Sequence, residues 1–295
     1  MYYLVFALLY TLSLLPFTAL YLLADFFYVI IYYLIRYRKE VVLHNLAMAF
    51  PEKTNDERKK IAKKFYRNFC DNWIETIKLI SISSAQLDKH MSCNLAVFDR
   101  ILASGRCCHV LLGHQFNWEW GNAVMPRKAP MKFLGVYSPI SSKIMDRLFL
   151  YIRSRFGTVL LPYNDMRRAM LPHRYTQYIL ALIADQSPSN PKKSYWLNFL
   201  NTPTAFLQGP EKGARLGNIP VTYIAIHKIR RGYYHMEAKM LCDNPGTTRE
   251  GELTKRYAAT LEESIRENPS SYLWSHKRWK YSWKEEYEKL WMADK

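Results

Sequence analysis

The sequence predicts an α/β protein: a central mixed sheet flanked by helices, behind an N-terminal membrane-anchoring helical segment. Three observations carry this. Residues 1–24 contain no charged side chain, residues 55–80 repeat apolar side chains at helical spacing, and from about residue 107 short apolar runs alternate with helical stretches. Such alternation builds a sheet covered by helices on both faces. No linker divides the chain, so 1–37 are assigned to the anchoring segment and 38–295 to a single α/β domain.

The opening stretch, MYYLVFALLYTLSLLPFTALYLLA, is followed by Asp25, a second apolar run to Ile35, and the basic residues Arg36, Arg38 and Lys39. A secretory signal peptide carries its positive charge before the apolar run, so this order does not fit one. The run suffices for roughly one bilayer crossing of about 20 residues. Pro16 and Asp25 argue against one straight helix through to Ile35. A single tilted helix and a broken, partly interfacial pair both fit. Basic residues directly after the run favour keeping the rest of the chain on the cytoplasmic side.

Within 55–80, Ile61, Phe65, Phe69, Trp73, Ile77 and Ile80 recur on one face. Lys59, Lys60, Lys63, Lys64 and Arg67 fall elsewhere, as on a solvated face, and Thr54 or Asn55 supplies a cap. Further on, CHVLLG, MKFLGVYS, TVLL, YILALIAD and PVTYIAIHKI read as strands. SSKIMDRLFLYIRSRFG and NDMRRAMLPHR read as helices, and IRRGYY as a hairpin around Gly232.

Lys and Arg number 42 against 25 Asp and Glu, a net charge of +17. That field attracts nucleic acid, an anionic membrane surface, phosphorylated lipids or an acidic carrier protein. The high content of Tyr and Trp favours the membrane–water interface among these. Five cysteines without CxxC spacing argue against both a zinc site and a disulfide scaffold, so no metal site is expected and reduced, cytosol-facing chemistry is inferred.

The chemistry centres on GHQFNWEWGN, residues 113–122. Residues 110–112 form a buried strand, Gly113 allows a tight exit, and His114 lies beyond the strand's carboxyl end, where open α/β sheets bind ligands. Asn117 as helix N-cap places Glu119 in the first turn. On one regular helix, side chains five apart diverge by about 140°. Across a loop-to-helix junction they can meet, and Glu119 would then hold one imidazole nitrogen while the other takes a proton from a substrate hydroxyl. His276, in WSHKRWK, has no carboxylate at useful spacing. Its alternation of basic residues with Trp suits an interfacial position or lipid-phosphate contact better than nucleic-acid stacking. Lys212 and the pair Arg230–Arg231 are candidate additions to a docking surface for an acidic carrier.

GHQFNWEWGN resembles the H-x4-D/E block of glycerolipid acyltransferases, in the GHxxNWE form of bacterial lipid A late acyltransferases of the lauroyl/myristoyl type. Other blocks resemble that family in the same order: NLAMAFPE, VYSPISSKIMDRLFLYIRSRFG, IADQSP, FLNTPTAFLQGPEKGARLGNIPV and NPSSYLWSHKRWK. The similarity runs from about residue 14 to 280. It implies a glycerolipid acyltransferase-like fold and O-acylation of a lipid A precursor at the cytoplasmic face of a bacterial inner membrane. The implied donor is an acyl-carrier-protein thioester, with no further cofactor and no nucleic acid partner. It makes His114 the general base and Glu119 its orienting partner. Asp185 and Arg155 fall at later blocks. Arg155 would bind an acceptor or carrier phosphate or stabilise the developing oxyanion, a task that backbone N–H groups after Asn117 can also perform. A lysophospholipid or aminolipid O-acyltransferase, with a phospholipid acceptor, is the alternative within this chemistry. A non-catalytic basic protein binding a membrane or an anionic ligand is the alternative of another class.

Overall fold

The computed structural model describes residues 1–292. The chain begins with two apolar helices, α1 (Tyr2–Leu14) and α2 (Phe17–Val29), the second continued by a π-helical turn over Ile30–Leu34. Pro16 caps α2, where its missing N–H does no harm, but it cannot continue α1. The result is the broken pair rather than one straight helix. Phe17–Leu34 is long and apolar enough to cross a membrane by length and composition. Even so, α2 buries Leu20, Ala24 and Tyr28 against the domain while Leu22, Phe26 and Val29 stay exposed. Its one charge, Asp25, accepts two hydrogen bonds from Arg231 at 2.8 and 2.9 Å.

Next come α3 (Lys39–Ala49) and α4 (Asn55–Lys78), the latter started by a capping box of Thr54 and Glu57. Because α1 and α2 lie over α4, its buried surface is wider than an amphipathic stripe. Phe65, Tyr66 and Ile74 are buried, but so are Asp71, Asn72, Glu75 and Lys78, whereas Trp73 is 42% exposed. The Lys78 ammonium donates to the carbonyls of Ser13 and Leu15 at 2.8 and 2.9 Å, a cation placed where the negative end of the α1 dipole needs one.

The α/β part follows as α5 (Ser84–His90), β1 (Met91–Asn94), α6 (Ala96–Ala103), β2 (Cys108–Leu112) and α7 (Trp118–Lys128). β3 (Lys132–Tyr137), α8 (Lys143–Ser154), β4 (Val159–Pro162), the one-turn α9 (Met166–Ala169) and β5 (Tyr178–Ile183) continue it. A separate antiparallel hairpin, β6 (Ser194–Phe199) and β7 (Thr202–Leu207), precedes α10 (Gly209–Leu216). The last elements are β8 (Val221–Arg230), β9 (Tyr233–Cys242) and α11 (Glu252–Glu267).

Seven strands form one mixed sheet in the order β1-β9-β8-β2-β5-β3-β4, parallel throughout except for the β8–β9 hairpin. The expected α/β class and the hairpin at Gly232 are present; β1 and the β6–β7 hairpin are additions. NDMRRAMLPHR forms only α9 between two 3-10 turns, the second of them containing Pro172. The register puts Val110, Leu112, Ala181, Ile183, Ile224 and Ile226 on one sheet face, beneath α7. Leu111, Leu182 and Tyr223 face the other way, toward α11.

Candidate active site

β2 delivers its chain to the carboxyl edge of the sheet and turns at Gly113. A Cβ there would stand 2.5 Å from Leu261 Cδ1 of α11, so glycine lets the two elements approach without displacing that buried side chain. The loop beyond is clamped from the C-terminal side. Leu273 N donates to His114 O at 3.1 Å, and Phe116 N donates to Ser271 O at 2.9 Å. Gln115 is held by Ser264 of α11 at 2.9 Å and by Tyr223 of β8 at 3.1 Å.

Asn117 caps α7 as expected, its Oδ1 accepting from Trp120 N at 3.1 Å. Its Nδ2 donates to Glu75 Oε2 at 2.8 Å. Glu75 is fully buried and also accepts from Tyr21 of α2 at 2.8 Å and Tyr234 of β9 at 2.7 Å. With its amide committed on both sides and no exposed surface, the Asn117 side chain positions the loop.

The imidazole partner is Asp185, not Glu119. His114 Nδ1 lies 2.6 Å from Asp185 Oδ1, and His114 N donates to Asp185 Oδ2 at 2.8 Å. One carboxylate thus fixes both the ring and the backbone that carries it. The register explains the meeting: β2 and β5 are adjacent parallel strands with Leu112 opposite Ile183, so the residues two beyond each, His114 and Asp185, emerge side by side. Burial raises the Asp185 pKa, but the neighbouring imidazole, its hydrogen bonds and Arg278 outweigh this and hold it below the ordinary 3.8. With Nδ1–H donated to Asp185, Nε2 is the basic nitrogen, and the Gln186 amide nitrogen sits 3.2 Å from it.

Glu119 does begin α7, but its carboxylate is turned to Arg153 of α8. Arg153 Nε donates to both carboxylate oxygens at 3.1 and 3.0 Å, and Trp118 Nε1 adds a bond at 3.1 Å. Glu119 is 3% exposed. Arg155 does not reach the site. Its guanidinium donates to the carbonyls of Leu79 and Ile82 at 2.8 and 2.7 Å, closing the end of α4. Positions two apart on a helix point about 200° apart, so only one of the two arginines can face the cavity, and it is Arg153. Arg153 was legible only through that helical phase.

His114, Trp118, Glu119, Arg153 and Gln186 rim a cavity of about 270 Å³ that runs under α7 along the apolar sheet face. Its floor comes from Leu112, Ala181, Ile183, Ile224 and Ile226, and its depth from Phe133 and Met236. Two glycines keep it open, since a Cβ on Gly121 would stand 2.9 Å from Ile226 Cδ1 and one on Gly135 3.0 Å from Thr158 Cγ2. A basic nitrogen and a cation thus sit at the mouth of an apolar slot with few polar groups, the form of a ligand site.

The profile described as bacterial lipid A biosynthesis acyltransferase matches residues 1–281. The chain belongs to that family. No curated protein matches it significantly. The activity attached to the family is acyl transfer in lipid A biosynthesis. In this lipid A biosynthesis acyltransferase, blocks far apart in the sequence converge on the two loops that carry His114 and Asp185. Asn45 Nδ2 donates to the carbonyls of Trp274 and His276, both at 2.8 Å. His276 Nε2 in turn accepts from Ser187 N at 3.1 Å, and burial lowers its pKa to about 4, which keeps it a neutral acceptor. WSHKRWK is therefore an internal clamp: Trp274 and Arg278 are buried, and Arg278 donates to Ala205 O at 2.9 Å. The expected interfacial position of this segment is not met at those residues.

Proposed function

We propose that this protein transfers a fatty acyl chain from an acyl-carrier-protein thioester to a hydroxyl of a lipid A precursor. The observation that carries the reading is His114, held through Nδ1 by Asp185, with Nε2 at the mouth of the apolar cavity. His114 Nε2 takes the proton of the acceptor hydroxyl as its oxygen attacks the thioester carbonyl. The tetrahedral oxyanion collapses, the C–S bond breaks, and the carrier thiolate takes the proton back from His114. Asp185 keeps the imidazole in the tautomer that accepts at Nε2 and stabilises the imidazolium. The Arg153 guanidinium, kept in place by Glu119, supplies positive charge beside the developing oxyanion, where loss of one donor costs about 3–4 kcal/mol of barrier. Glu119 is thus a positioning residue acting through Arg153. The acyl chain lies in the apolar cavity under α7.

The exposed apolar sides of α1 and α2 support membrane association, with the domain on the cytoplasmic side of the bacterial inner membrane, where carrier-bound acyl groups are available. Labelled acyl-carrier protein offered in parallel to a lipid A precursor and to lysophospholipids tests the reading. Label is expected on the lipid A precursor; turnover confined to lysophospholipids would refute the acceptor, and absence of label on every acceptor would refute the transfer itself.

A further inference from the structure

A second cavity, about 710 Å³, lies between α2, α4 and the tip of the β8–β9 hairpin, and the acyl-transfer scheme does not use it. Five cations line it: Lys64 and Arg67 from α4, and Lys228, Arg230 and Arg231 from the hairpin. Two carboxylates face them. Asp71 takes Lys228 at 3.0 Å and Arg231 at 2.9 Å, and Asp25 takes Arg231. Among the described residues Lys64, Arg67 and Arg230 have no carboxylate partner; Arg67 and Arg230 instead rest on the rings of Tyr28 and Tyr233 at 5.1 and 3.9 Å. The cavity gathers three cations without a carboxylate partner from two separate stretches of chain, α4 and the hairpin, and their combined field favours an anion there.

Its rim is apolar. Val29 of α2 is 48% exposed, and Ile229, set between Lys228 and Arg230 at the hairpin tip, is 67% exposed. Phe26 extends the same exposed side of α2. Cations inside and apolar side chains at the lip match an anion that sits at a membrane surface rather than one free in solution. The cavity also neighbours the first one: Ile226 lines the apolar slot, and Lys228, two residues along the same strand and about 7 Å further, lines the basic one.

We propose that this cavity binds the phosphate monoester of an anionic membrane lipid, with Lys64, Arg67 and Arg230 as its ligands. The site stands on its own geometry and goes beyond the acyl-transfer reading. The test is flotation of the full-length protein with phosphatidylcholine vesicles containing either phosphatidic acid, a monoester, or phosphatidylglycerol, a diester, at matched surface charge. Wild type is expected to prefer the monoester vesicles by about tenfold, and K64Q/R67Q/R230Q to lose that preference while still floating with plain phosphatidylcholine vesicles. Equal binding of wild type to both anionic vesicles overturns the proposal, as does an undiminished preference in the triple variant. Removal of the preference by inorganic phosphate equimolar with the lipid phosphate also overturns it, assigning the site to the free anion. Thermal melting checks the triple variant's fold, and R230Q, on the exposed hairpin tip, gives an independent partial loss if the triple variant melts early. Acyl transfer measured on the same preparations is a separate readout: its failure with the monoester preference intact counts against the transfer reading alone.

Discussion

Glu75 shows how much a single buried residue holds together. Its carboxyl receives Tyr21, Tyr234 and Asn117, joining the apolar N-terminus, the sheet and the helix cap next to His114. Burial, reinforced by the nearby Asp71 carboxylate, raises its pKa from 4.5 to about 7 against the pull of its hydrogen bonds and of Lys228. The sign is fixed by linkage. The unfolded chain ionises near pH 4.5 while the folded one still holds the proton, so this group's stability contribution is fully present below 4.5 and is lost as pH rises to about 7. Glu75→Gln should therefore flatten the decline in chemical-denaturation stability between those values; an unchanged slope in that window contradicts the assignment. Asp185 has the opposite sign. Its lowered pKa gives stability that is present above 3.8 and lost as pH falls through the folded value.

At the level of elements, the α7 slot makes the sharpest prediction. Gly135 faces Thr158 across the cavity wall and Ala181 forms part of its floor, so a larger side chain at Ala181 fills space that the tail of an acyl group would take. Ala181→Leu is expected to shift donor preference toward chains shorter by a few methylenes, each worth about 0.8 kcal/mol of burial. Competition between acyl-carrier-protein thioesters of different length measures it, and an unaltered length profile removes the slot from the acyl-binding role. The same scale shows what the sequence made legible. The strand before His114, the cap at Asn117 and most sheet strands were readable from apolar runs and turn residues. The partner of His114 was not, because H-x4-E suggests a local pair while the real one lies 71 residues away in chain order and is set by the register of two strands. The resemblance pointed to Arg155, and Arg153 stayed unread because position in a block does not give helical phase relative to a neighbour. Lys59, Lys60, Lys63, Lys64 and Arg67 of α4 are exposed as expected, but the burial of Asp71, Asn72, Glu75 and Lys78 was not readable because the helices that cover them, α1 and α2, read as a membrane anchor.

At the scale of the whole molecule, the proposed membrane association has two separable sources, a net charge of +17 and an exposed apolar N-terminus. Leu4, Leu8, Leu22 and Phe26 are 60–75% exposed on α1 and α2. Charge attraction is screened over roughly 3 Å in 1 M salt, whereas apolar insertion is not weakened by salt. Flotation with neutral vesicles should therefore survive 1 M salt and fail in Leu22→Asp/Phe26→Asp, while the extra gain from anionic lipid should disappear with salt. Binding that salt abolishes entirely would mean that the apolar face is not the anchor. The proposed transfer rests on one pairing: two loops, clamped by α11 and the C-terminal segment, bring Asp185 to His114. Its most direct measurement is the acyl-transfer rate of Asp185→Asn, on protein whose fold is verified by melting. A fall in kcat of roughly 10²–10⁴-fold with little change in KM for the acceptor is expected. A rate within about threefold of wild type would contradict it.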